Sequence, residues 1–319
     1  MHVLVRGAGV AGLTLAHELL EQGAKVTVFD LLPDSSGSAS WLAGGMLAPW
    51  CERESAEEPV LTLGRLAADW WENALPGHVV RNGTLVVAPP RDAGELGRFA
   101  ARTSGFEEIA GERIAALEPD LDGRFRRGLF FAGEAHLDPR RALLALRKKL
   151  GARGVAFLCG GKEPAGADRI ADCTGIASAA PALRGVRGEM LVLETPDISL
   201  SRPVRLLHPR IPVYIVPRDG NRFMVGATMI ESEDDGPVTA RSMMELLNAA
   251  YGLHPAFAEA KIVETGVGVR PAYADNLPRV TRTAEGVSVN GLYRHGFLLS
   301  PAMAQEAAAM ILQEKRQYA

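Results

Sequence analysis

The stretch Met1–Asp30 decides the fold. It opens with His2-Val3-Leu4-Val5-Arg6, an apolar run with one interruption, and continues into Gly7-Ala8-Gly9-Val10-Ala11-Gly12. Leu13, Leu15, Ala16, Leu19 and Leu20 then recur at helical spacing before Lys25-Val26-Thr27-Val28-Phe29-Asp30. The pattern predicts strand, tight turn, helix and second strand. Gly7 permits the turn off the first strand, Gly9 lets a pyrophosphate approach the backbone, and Gly12 lets the helix pack closely on the sheet. Val10 and Ala11 open the helix, whose first N–H groups and positive dipole end suit phosphate. Asp30 ends the second strand, where a carboxylate accepts ribose hydroxyls and repels a 2′-phosphate. These residues predict an ADP-containing dinucleotide and leave open whether it is FAD or NAD.

Outward from that stretch, 319 residues suffice for a large core and two domains. A formal charge of −3 with no Lys/Arg block argues against nucleic acid as a partner. No apolar run approaches the roughly 18 residues of a membrane span, and the first strand runs straight into the glycine turn, unlike a signal peptide. Cys51, Cys159 and Cys173 are odd in number and far apart, and the seven histidines are scattered. This usage points to a reducing cytoplasm without disulfides and to no metal site. A homo-oligomer is compatible with the sequence.

Leu31 to Ser40 reads as a loop and leads to Ala43-Gly44-Gly45-Met46, small residues around one methionine. Two readings stand there: a loosely packed helix start, or backbone lying against a flat ring system. A helix is expected over 60–76, a hairpin turning at Asn82-Gly83 over 79–88, and helices near 93–103 and 111–117. Asp138-Pro139 marks a strong helix start. Val155 to Leu158 and Arg169 to Gly175 read as further strands of the nucleotide-binding sheet. From Arg187 to about Lys261, alternating runs separated by turns, one of them Asp219-Gly220, predict an antiparallel sheet with a helix near 240–250. A last helix is expected over about 300–313. The chain divides into a discontinuous cofactor domain (1–76, 133–186 and 262–319) interleaved with a substrate domain (77–132 and 187–261). The fold class is α/β, Rossmann-like, with an α+β substrate domain built on an antiparallel sheet. There is no internal repeat.

Motifs along nearly the whole chain carry a resemblance. They are the glycine turn with its acidic partner, Ala43-Gly44-Gly45-Met46-Leu47-Ala48-Pro49, Asn82-Gly83-Thr84-Leu85, Leu137-Asp138-Pro139-Arg140, Tyr214-Ile215-Val216-Pro217-Arg218, Val225-Gly226-Ala227-Thr228-Met229, Gly268-Val269-Arg270-Pro271, and Leu292-Tyr293-Arg294-His295-Gly296-Phe297-Leu298. In this order they resemble the D-amino-acid oxidase family of flavoenzymes, and within it the glycine oxidase branch that serves thiamine biosynthesis. The resemblance implies a glutathione-reductase-like fold and FAD, held without a covalent bond. It implies cofactor contacts from Gly7, Gly9, Val10, Ala11, Gly12, Asp30, Leu31, Ala43, Gly44, Gly45, Met46, Thr174, Gly175, Arg294, His295, Gly296, Phe297 and Leu298. It also implies hydride transfer from Cα of a small amino acid or amine to flavin N5, with O2 as acceptor and H2O2 as product.

A planar guanidinium suits a substrate carboxylate, so the resemblance assigns Arg270 to the clamp, Tyr214 to a hydroxyl bond beside it, Met229 to the substrate wall and Arg294 to the entrance or the same anion. The bland alternatives are a buried ion pair for Arg270, a strand aromatic for Tyr214 and a core methionine for Met229. Two further functions stay open. One is a D-amino-acid or secondary-amine (sarcosine or proline) dehydrogenase with another electron acceptor; the other is a flavin-binding module of a tRNA-modifying assembly. The join from Cys159 to Asp168 is shorter than the family's pattern.

Overall fold

The computed structural model describes residues 1–180 and 182–317, with side chains described as far as Gln313; Pro181 and residues 318–319 of the expected cofactor segments lie outside them. Two large sheets organise the chain. The first has six strands in the order Arg279–Arg282, Gly286–Asn290, Arg169–Asp172, His2–Arg6, Lys25–Asp30 and Ala156–Cys159. All its pairings are parallel except that of the edge strand Arg279–Arg282. The strand His2–Arg6 is apolar because neighbours flank it on both sides: Val3 and Val5 are fully buried.

The glycine turn has the predicted logic. Gly7 adopts φ +96°, and a Cβ there would fall 2.5 Å from the carbonyl oxygen of Cys173. A Cβ at Gly12 would fall 1.9 Å from the carbonyl oxygen of Gly7, so only glycine lets the helix Val10–Glu21 sit this close to the strand. That helix packs on the long C-terminal helix Gly296–Gln317.

The second sheet has nine strands and is antiparallel apart from one parallel pair, Thr84–Val87 with Val204–Leu206. Its strands Arg184–Glu194, Val204–Leu206, Val213–Arg218 and Arg222–Gly226 match the alternating runs, and Asp219-Gly220 turns the chain between the last two. The helix Pro139–Ala152 starts as its sequence requires: Asp138 accepts the N–H groups of Arg140 and Arg141, and Pro139 takes the first position.

Four expectations are corrected. Residues 262–272 do not return to the nucleotide sheet, because Lys261–Ala272 pairs along its length with Arg184–Glu194. Asn82-Gly83 is not a hairpin turn. Val80 instead exchanges backbone hydrogen bonds with His136, while Asn82 donates to the Ser201 carbonyl and its own carbonyl accepts from Arg202. The helix over 60–76 is two, Glu58–Gly64 and Ala67–Ala74. The last helix begins at Gly296, with Pro301 inside it.

Candidate functional site

At the glycine turn, Asp30 accepts the N–H of Ala8 at 2.6 Å with one carboxylate oxygen and that of Leu32 at 3.0 Å with the other. Each oxygen keeps lone pairs for ribose hydroxyls. Ser40 accepts the Val10 N–H at 3.1 Å, and Ser35 donates to the Ala8 carbonyl at 2.6 Å, so the polar loop 31–40 folds over the helix start. A Cβ at Gly9 would meet Ser40 and Ser38 at ordinary contact distance, so no protein atom forbids a side chain there. Thr174 and Gly175 stand at the end of the neighbouring strand, where Asp172 accepts from the Thr174 backbone and hydroxyl. The glycine cradle and the acidic strand end fit an ADP group.

A pocket of about 340 Å³ lies against the second sheet, and Tyr214, Met229, Arg270 and Arg294 all line it. Arg270 projects over Gly188, where a Cβ would fall 2.0 Å from its guanidinium. It donates to the Thr228 carbonyl at 3.0 Å and has no carboxylate partner among the described residues. Loss of water around it pulls its pKa below the ordinary arginine value, against the raising effect of Tyr214 and Tyr293. Tyr214 rests on Gly44: a Cβ there would fall 2.7 Å from its ring. Met229 is half exposed, with its sulfur 3.3 Å from Arg294 Nη1 and 3.5 Å from the Tyr293 hydroxyl.

Arg294 is not free. It donates from Nε to Glu52 Oε2 at 2.7 Å, with Nη2 also 2.7 Å from that oxygen. The other Glu52 oxygen accepts from Arg205, and His295 Nδ1 lies 3.3 Å from Oε2 without hydrogen-bond alignment. Glu52, Arg205 and His295 are buried. Burial, then Arg294, Arg205 and Arg270, hold His295 far below its ordinary pKa and hence neutral. Glu52 sits on the short helix Pro49–Arg53, and Glu134, itself buried, accepts the Cys51 N–H of that helix at 2.7 Å. Burial pushes the Glu134 pKa up to about 7 against the pull of that bond.

The other expected cofactor contacts divide. Gly45, with φ +74°, has an internal reason for its size, since a Cβ would fall 2.2 Å from the Leu137 carbonyl oxygen. Ala43 and Gly44 offer their carbonyls to Arg218. Met46 is half-buried against the cluster of Ala48, Cys51 and Phe131. Leu31 is exposed, and Val10 and Ala11 are buried. Phe297 and Leu298 turn into the core, Phe297 against Trp71 and Leu298 over Gly64, so only their backbone and that of Gly296 remain for a cofactor. Sequence reading missed Glu52, Arg205 and Ser40. Glu52 stands in Cys51-Glu52-Arg53-Glu54, which reads as a solvated helix face, and nothing local marks it as buried.

The sequence profile of the DAO family, FAD dependent oxidoreductase, matches residues 2–310. A protein of Rhizobium etli assigned as the thiamine biosynthesis oxidoreductase ThiO is 65% identical, over 99% of this chain and 98% of its own. Among solved structures, an iminodiacetate oxidase from a Chelativorans species superposes with TM-score 0.84 at 24% identity, covering 98% of this chain and 95% of that one. A glycine oxidase from Geobacillus kaustophilus superposes with TM-score 0.82 at 22% identity, covering 98% and 94%.

Proposed function

The chain belongs to the DAO family of FAD-dependent oxidoreductases, and on that premise we propose that it oxidatively deaminates glycine or a similarly small amine. Family membership makes it an FAD-dependent amino-acid oxidase. The observation that carries the finer reading is Arg270: a guanidinium without a carboxylate partner among the described residues, beside the Tyr214 ring in a cavity of about 340 Å³.

An amino acid brings the missing carboxylate. Arg270 binds its two oxygens in parallel, Tyr214 donates to the same group, and Met229 closes the exposed side. The amine reacts in its neutral form, so no protein base is required and these side chains act by fixing Cα in place. When bound, FAD would supply the two-electron acceptor for the hydride leaving Cα, and in the oxidase reading O2 would be the terminal oxidant, reduced to H2O2. The first-turn N–H groups of Gly296, Phe297 and Leu298 give this helix a positive end that would suit a flavin gaining negative charge. The 65% identical relative supports a place in thiamine biosynthesis.

Anaerobic mixing with glycine, followed by air, tests the reading. Bleaching of the flavin absorbance and recovery with stoichiometric peroxide is the expected result. Bleaching without prompt recovery replaces the oxidase by a dehydrogenase with another acceptor. A flavin that glycine leaves untouched while sarcosine or D-proline bleaches it overturns the glycine assignment.

A further inference from the structure

We infer that Glu52 is a positioning residue that reserves the substrate carboxylate for Arg270, by holding Arg294 and Arg205 on its own oxygens. The inference rests on the amine-oxidase reading of the pocket. Five arginines line that cavity: Arg98 and Arg102 are exposed at its rim, and the guanidiniums of Arg205, Arg270 and Arg294 lie further in. Glu52 is the carboxylate that engages two of them, Arg294 through Nε and Nη2 and Arg205 through Nη2. The rim charges pair among themselves, Arg98 with Glu95 and Arg102 with Glu54. With His295 neutral, the interior carries three positive groups against one negative.

The remaining polar atoms of the cluster offer no substitute. Among the described residues, Arg205 Nε and His295 Nδ1 are buried without a hydrogen-bond partner. If Glu52 lost its charge, the freed guanidiniums would turn to the nearest anion, the substrate carboxylate. Its binding would tighten, yet with several competing poses in place of one, so Cα would no longer be held for reaction. A residue needed only for folding would weaken binding and turnover together.

The experiment is calorimetric titration of the FAD-loaded protein with acetate at constant ionic strength, alongside acetate inhibition of glycine oxidation and thermal melts. In Glu52→Gln, acetate should bind roughly tenfold tighter or more, on the scale of one unit charge removed within the pocket, while kcat for glycine falls. In Arg294→Gln, Glu52 faces the pocket with one cation fewer, and acetate should bind more weakly. Acetate affinity that stays level or weakens in folded Glu52→Gln overturns the inference. Should that variant not fold, Arg294→Gln decides, and acetate binding there that holds or tightens overturns it. Acetate that fails to compete with glycine in the unsubstituted protein removes the pocket reading as well; competition with unmoved affinities in the variants removes this inference alone.

Discussion

Arg270 stands near the end of a strand, over a glycine, with a backbone carbonyl as its protein partner. Arg270→Ala should raise the glycine KM about a hundredfold, the scale of roughly 3 kcal/mol for a charge-assisted contact. An unchanged KM in steady-state assays sinks the clamp. Glu134 gives a second prediction through pH. Its pKa rises from an ordinary 4.5 to about 7 on folding. Below the ordinary value both states are protonated; between the two values only the unfolded state ionises, so stability falls as pH rises, and above about 7 the loss is complete. The full effect is of order 3 kcal/mol. Glu134→Gln should therefore gain stability relative to the unsubstituted protein between pH 5 and 8, and melts that show a constant difference across that range contradict it. Arg270 was legible because its neighbours Gly268-Val269 and Pro271 make a contiguous motif. Glu52 was not, because its partners Arg205 and Arg294 lie 153 and 242 positions away.

Among the elements, the helix Gly296–Gln317 carries a proline that should weaken it. Pro301 lacks the N–H that would bond the Phe297 carbonyl, and the buried Trp71 indole N–H takes that carbonyl at 2.9 Å. The helix thus keeps its continuity by borrowing a donor from Ala67–Ala74. Trp71→Phe should cost about 1–3 kcal/mol for the orphaned carbonyl, beyond any loss of packing. Pro301→Ala should recover part of that cost in the double variant, and a cycle of denaturation free energies with no coupling rules the pairing out. The helix expected from about residue 300 begins instead at Gly296, because this distant donor satisfies the carbonyl that Pro301 leaves unpaired. The hairpin expected at Asn82-Gly83 failed for a related reason. Gly83 does need its positive φ of 76°, but the turn serves a corner fixed by Arg202 and Ser201, not a return strand. Asp138-Pro139 and Asp219-Gly220 were legible because their partners are adjacent in sequence.

At the scale of the whole molecule, the nucleotide sheet draws its strands from 2–30, 156–172 and 279–290, and the second sheet draws its own from the intervening chain. Each sheet closes only after the chain has passed through the other, so a cofactor bound at the glycine turn and reaching the Arg270 pocket touches both. Its binding free energy is then folding free energy for the whole protein, about 2.7 kcal/mol when free FAD is a hundred times its Kd. Asp30 is the residue through which this coupling is most directly read. Its carboxylate fixes the backbone of Ala8 and Leu32, at 2.6 and 3.0 Å, and on the reading proposed above would also accept ribose hydroxyls. Asp30→Ala should raise the FAD Kd by about ten- to a hundredfold, as loss of charged hydrogen bonds implies, and lower the melting temperature. Excess FAD should restore most of the melting temperature, and turnover per bound flavin should stay near that of the unsubstituted protein, because the Arg270 pocket belongs to the other sheet. Full FAD retention with diminished turnover per flavin would place Asp30 in the chemistry and refute its assignment to the nucleotide.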